Sequence, residues 1–215
     1  KLVDVKYVNG HILACNLVSG NATGTTRVYY WENDDPSTVP SVLLETTDKS
    51  GVARVGDTFN VTGDPKGNGY IWFVGGTKVL RYKITDGTVS KAPEVTTIPT
   101  TSTAPRVVPV SDNQFWVKSL HDTSKHILYN WVSGGTATEV ESIGCTNTNR
   151  GNAIAPFTLA KSDQQYAFVI DQVSGSSGWQ NQTALLLKRN SDGSWSKLKE
   201  FDGLGTSDNG AGSSI

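Results

Sequence analysis

The sequence predicts an all-β chain, an array of four-stranded antiparallel blades with about four repeats in its 215 residues. Three observations carry that prediction. A pattern of short apolar strand, loop, aromatic-rich strand and third short strand returns about every fifty residues, the spacing of blade or solenoid repeats. A further strand precedes each triplet. No segment longer than two turns places apolar residues at i, i+3, i+4 and i+7, so helices have no signal.

The first triplet reads Gly10 to Cys15, Arg27 to Trp31 and Ser41 to Glu45. The second reads Gly69 to Val74, Lys78 to Tyr82 and Glu94 to Ile98, and the third Asn113 to Val117, His126 to Trp131 and Glu139 to Ile143. The fourth reads Gln165 to Ile170, Ala184 to Lys188 and Lys197 to Phe201. With Ile12, Ile71, Phe115 and Tyr166 as equivalent positions, the steps are 59, 44 and 51 residues, so length varies in loops while the strand core is kept. The preceding strands are Val3 to Val8, Thr58 to Val61, Arg106 to Val110 and Ala155 to Leu159.

Four antiparallel strands per repeat is the blade of a β-propeller. The blade boundaries fall near 1–54, 55–105, 106–150 and 151–202 of a single propeller or propeller fragment. A run such as Ile71-Trp72-Phe73-Val74 puts apolar side chains on both faces of its sheet, and stacking blades covers both. Asp86-Gly87 and Asp192-Gly193 are hairpin-turn pairs, since Gly accepts the positive φ such turns need. Residues 203–215 read as the start of a further strand, either in a larger ring or closing a small ring on a terminal blade. Methionine is absent, position 1 included, so the chain reads as a mature or excised segment.

Composition narrows the function classes. The net charge is −1 and the basic residues are scattered, so no electrostatic footprint points to nucleic acid. No apolar run reaches the length of a membrane-spanning segment. Cys15 and Cys145 fall in different repeats, one in a buried strand and one in a turn, and read as unpaired structural thiols. His11, His121 and His126 lack the spacing of a zinc site, and no cofactor motif is present; the expectation is no metal and no cofactor.

The Gly10-His11-Ile12 strand, the Val28-Tyr29-Tyr30-Trp31 strand, and the Leu43-Leu44-Glu45 and Thr96-Thr97-Ile98 strands together resemble uncharacterised β-propeller domains. Those domains occur in secreted or surface lipoproteins of Bacteroides-type gut bacteria. The resemblance runs chiefly over Gly10 to Glu45 and Gly69 to Ile98. It implies export, an extracellular, cell-surface or periplasmic location and a link to glycan handling, and it transfers no catalytic residue. The sequons at Asn21, Asn60 and Asn181 would be accidental in a bacterial protein. The Asp192-Gly193-Ser194-Trp195 turn resembles the Asp-box of sialidases, at the wrong preceding spacing and only once.

Trp31 and Trp131 match in the repeat, as do Trp72 and Trp116, and recurrence assigns them to packing between blades. Trp179 differs: it sits in a polar insertion without counterpart elsewhere, followed by Gln180, Asn181 and Gln182. An exposed indole flanked by amides suits a sugar ring, stacking on its C–H face while the amides bond its hydroxyls. Asp4, Asp57, Asp64, Asp112 and Asp171 lie near strand ends, and a glycosidase would need two of them about 5 to 9 Å apart. Such residues are ordinarily turn formers, and no acyl-transfer elbow is present. The sequence therefore points to a non-catalytic exported module binding a glycan or a surface protein partner. A propeller glycoside hydrolase or lyase with axial carboxylates and a purely structural scaffold stand as alternatives.

Overall fold

A computed structural model describes residues 1–98, 106–118, 125–144, 154–172 and 182–201. The described residues form four antiparallel sheets and contain no helix. The first sheet orders β1 (Leu2–Val8), β2 (His11–Asn16), β3 (Thr26–Trp31) and β4 (Ser41–Thr46). The second holds β5 (Phe59–Gly63), β6 (Gly69–Gly75) and β7 (Lys78–Thr85), with both β8 (Thr88–Val89) and β9 (Glu94–Thr97) on β7. The third orders β10 (Arg106–Ser111), β11 (Gln114–Lys118), β12 (Lys125–Asn130) and β13 (Thr138–Gly144). The fourth orders β14 (Ile154–Thr158), β15 (Gln165–Gln172), β16 (Gln182–Arg189) and β17 (Trp195–Phe201). This is the propeller-like succession of blades that the repeat predicts.

The chain forms two compact units, Lys1–Phe115 with Asn130–Thr138 and Trp116–Tyr129 with Glu139–Ile215. In the first unit, every residue of β6 is buried. Its Ile71 and Phe73 join Leu13, Val28, Tyr30 and Leu44 in a core between the first two sheets. Its opposite face carries Trp72, whose ring centre lies 5.6 Å from Phe115 and 5.8 Å from Trp131. A strand covered on both faces needs a continuous apolar run instead of an alternating one, which is what β6 contains. Trp72, Trp116 and Trp131 are buried as expected, whereas Trp31 is only half-buried because it lies on the outward face of the first sheet.

The outer strand of the second sheet is broken where a single strand was expected. The Asp86-Gly87 turn has φ of 47° and 73°, the two positive values of a tight hairpin, and leads into the two-residue β8. Pro93, which has no N–H for the ladder, then separates β8 from β9.

Arg81 is the most demanding residue of this unit. Trp72, Arg81 and Glu94 stand directly opposite one another across β6, β7 and β9. The Arg81 side chain is fully buried, and its guanidinium carbon lies 4.0 Å from the Trp131 ring centre and 4.5 Å from that of Tyr70. Its Nε and Nη2 donate to Glu94 Oε2 at 2.9 and 2.7 Å, and Nη1 donates to the carbonyls of Asp112 and Trp131. A buried guanidinium is tolerable only when its donors are met, and here Nε, Nη1 and Nη2 all are. Arg81→Ala removes the guanidinium donors to Glu94 Oε2 and to two carbonyls, with only Ser133 Oγ still donating to Glu94 Oε1, and empties the space between the rings. It should cost about 3–5 kcal/mol in urea unfolding. Glu94→Gln keeps an acceptor oxygen but leaves the fully buried guanidinium without its counter-charge, so it should also be clearly destabilising.

Two core groups make the same unit sensitive to base. Cys15 is free and buried, with Sγ 3.5 Å from the Gly56 carbonyl. Gly56 has φ of 98°, and a Cβ there would lie 2.1 Å from the Asn16 carbonyl, so the close approach requires glycine. Burial, reinforced by the charge of Asp4, pushes the Cys15 thiol from 9.0 up to about 12. Burial likewise raises Tyr82, whose hydroxyl donates to the Asp48 carbonyl at 2.6 Å. Folded values above the unfolded ones mean that their stabilisation is complete below pH 9 and is lost as pH rises toward 12. Native Cys15 should therefore resist alkylation at pH 8, by site-resolved mass spectrometry, and the urea midpoint should fall above pH 9.

Candidate functional site

The first strands of the sheets in the first unit, β1, β5 and β10, are stitched together by side chains. Asp4 Oδ2 accepts the Phe59 N–H at 3.0 Å near the strand starts, and Asn9 Nδ2 donates to the Gly63 carbonyl at 3.0 Å at the strand ends. β1 and β5 therefore run side by side, start to start. Asn60 Nδ2 donates to the Val107 carbonyl at 2.7 Å, joining β5 to β10 in the same way. These three side chains satisfy backbone groups that no ladder reaches.

Charged groups collect at the start end. Asp4 also accepts its neighbour Val5 N–H at 3.0 Å and lies 3.4 Å from Lys6 Nζ. Asp57 receives Arg54, by Nε at 2.6 Å and again by Nη2, while Arg54 Nη1 donates to Ser19 Oγ at 3.2 Å. Arg106 opens β10, where burial pulls its guanidinium below the ordinary range and the charge of Asp4 opposes the shift. The β2–β3 connection reaches this end too, because Val18 and Val55 bond reciprocally at 2.9 and 3.0 Å.

Asp4 and Asp57 are thus both held at the start end. Asp64 and Asp112 lie beyond the other ends of β5 and β10, in turns, where Asp64 Oδ1 accepts the Lys66 N–H at 2.8 Å. The whole of β5, about 17 Å of extended strand, lies between Asp57 and Asp64, too far for a carboxylate pair across a glycosidic bond. Asp171 lies in β15, opposite Thr183. Trp179, Gln180 and Asn181 lie outside the described residues, and of the predicted ligand set only the backbone of Gln182, first residue of β16, is described. Of the sequons, Asn60 is committed to Val107, while Asn21 Oδ1 accepts the Thr23 N–H and hydroxyl, both at 2.9 Å. Cys145 lies outside the described residues, and no group of three or more His, Cys, Asp or Glu able to hold a metal occurs among the described ones.

An open cleft of about 710 Å³ lies where β3 begins and β4 ends, lined by Thr25, Glu45, Thr47, Asp48 and Lys91 among others. Thr46 Oγ1 donates to the Lys91 carbonyl at 2.7 Å and closes one side. Glu45, paired with Arg27 at 2.9 Å, is held below the usual carboxylate range by that partner. The lining combines the apolar Val42 and Ala92 with hydroxyl, carboxylate and ammonium groups, so polar and apolar surface meet there. In the second unit, a polar cleft of about 480 Å³ includes Asp163, Gln164, Gln165, Arg189 and Asn190, at the opposite strand ends from Gln182. Gln164 Nε2 there donates to the Arg189 carbonyl at 2.7 Å, so its amide braces the two turns.

Sequence reasoning missed the cleft at β3 and β4, whose residues are far apart in the chain, and the stitching role of Asn9 and Asn60. It also passed over Arg81, although an arginine inside Val79-Leu80-Arg81-Tyr82 is a signal of a paired buried charge.

Residues 3–107 match a family described as "Domain of unknown function (DUF4623)". No curated protein matches the chain. Among solved structures, the chain is similar to the crystal structure of a functionally unknown protein from Desulfotomaculum acetoxidans DSM 771, at 13% identity and a TM-score of 0.50. The similarity covers 94% of this chain and 70% of that one and concerns the fold alone.

Proposed function

We propose that this chain is a non-catalytic, exported β-propeller binding module of the Bacteroides-type surface-lipoprotein kind, taking a glycan or a surface protein partner through loops at one end of its blades. The observation that carries the reading is the commitment of the carboxylates. Asp4 serves two backbone N–H groups and Lys6, and Asp57 serves Arg54, so both act as fixed acceptors in the scaffold. A hydrolase would instead require one protonated carboxyl and a second group placed across the bond.

The start end also suits binding by its loops. In the fourth sheet, Ile154 opens β14 opposite Val169 near the end of β15, and Gln182, the first residue of β16, pairs with Gln172 at that same end. The β2–β3 connection lies at the start end of the first sheet. Trp179, Gln180, Asn181 and Gln182 are the proposed ligand contacts, the indole for a sugar face and the amides for hydroxyls.

Binding of the purified chain to a microarray of plant, host and microbial glycans, with Trp179→Ala beside it, tests this reading. Saturable binding that falls at least tenfold in the variant is the expected result. Silence across the array, with affinity only for a protein partner, would favour a scaffold. Release of reducing ends from any arrayed glycan, lost in Asp4→Asn or Asp57→Asn, would overturn the non-catalytic reading. On the structural role, Asp57→Asn should cost no more than about 1 kcal/mol, because its ion pair with Arg54 is partly exposed.

A further inference from the structure

We propose that the outward face of the first sheet is an interface that takes the same face of a second copy of this chain. The register places Val5, Ala14, Tyr29 and Val42 in one cross-strand row, and Tyr7, Ile12 and Trp31 in the next. The opposite face carries Leu13, Val28 and Tyr30 into the core with the second sheet. Among the described residues the outward face has no such cover: Val5 is 58% exposed, Tyr7 75% and Val42 49%, with Ile12, Tyr29 and Trp31 half-buried and the small Ala14 buried between its neighbours. An apolar area of this kind matches the largest patch a monomer usually leaves in water, roughly 300–600 Å², and such patches are commonly functional.

Two features select a second copy as the occupant. The face measures roughly 19 by 20 Å for four strands of about six residues. With side-chain relief, its accessible area approaches the ~600 Å² per partner at the lower limit of stable interfaces. Its charge is also balanced. Arg27 and Glu45 lie on this face as a cross-strand pair at 2.9 Å, while Asp4 and Lys6 belong to the other face of β1. A two-fold contact sets a patch against itself, so a patch of one sign repels its copy, whereas one cation beside one anion can pair in exchange. Packing one apolar sheet face on another is already the mode by which the first and second sheets build their core.

Sedimentation of the full chain from about 1 to 100 µM tests the proposal, the range spanning the micromolar affinities typical of a modest interface. A concentration-dependent dimer is expected, with Tyr7→Glu and Val5→Lys each weakening association at least tenfold while leaving the circular dichroism and thermal midpoint unchanged. Leu198→Glu, at a position 57% exposed on β17, should leave the dimer intact. A monomer throughout the range overturns the proposal and leaves the face to a sheet from another polypeptide. A dimer indifferent to both β1 variants, or association lost equally in the Leu198 control, overturns it as well.

Discussion

The constraint on which the first unit depends is that its second sheet is apolar on both faces. A sheet of this composition cannot stand with one side in water, so it requires a neighbour on each side. The first sheet supplies one through Leu13, Val28, Tyr30 and Leu44 against Ile71 and Phe73. Phe115 and Trp131 supply the other against Trp72. Arg81 then follows as the polar exception. On the strand beside Trp72 it is walled by three aromatic rings, and its charge can stay there because Glu94 and two carbonyls converge on it. The ion pair also fixes register, because a slip of one residue would turn Arg81 to the other face, into the Leu13 and Tyr30 core.

Placing sheets face to face leaves a second problem along their first strands. Such strands have one edge paired to the next strand of their own sheet and one edge facing the neighbouring sheet, where no ladder forms. The chain meets it with short polar side chains: Asp4 on Phe59, Asn9 on Gly63, Asn60 on Val107. Each reaches a backbone group that would otherwise need water, and each ties one sheet to the next. The acceptor, Asp4, is a carboxylate and the two donors, Asn9 and Asn60, are amides, in keeping with the N–H and C=O groups they serve.

The strand repeat was legible because burial on two faces writes itself locally, as runs like Ile71-Trp72-Phe73-Val74 recurring at similar spacing. Turn chemistry was legible at Asp86-Gly87 for the same reason, since the positive φ values act within two residues. What was not legible depends on long-range geometry. Trp31 and Trp131 look alike in the repeat, yet one faces outward on the first sheet and the other meets Trp72, and only the arrangement of sheets distinguishes them. The break between β8 and β9 had a local cause in Pro93 that an apolar pattern does not register. The cleft beside β4 draws Thr25, Glu45 and Lys91 from three separate segments, which no spacing along the chain joins.

Acidic residues at strand ends are ambiguous in a sequence because the same side chain serves a reaction or a backbone. The deciding quantity is what the carboxylate already holds. Asp4 accepts two N–H groups and sits beside an ammonium, and truncating it to Ala would leave the partly buried Phe59 N–H without its acceptor, at about 1–3 kcal/mol. A carboxylate so engaged ties β1 to β5, and that structural role accounts for an acidic residue near the strand start. Carboxylates engaged in holding sheets together belong to the scaffold, and loops between strands can vary without altering the stitches beneath them.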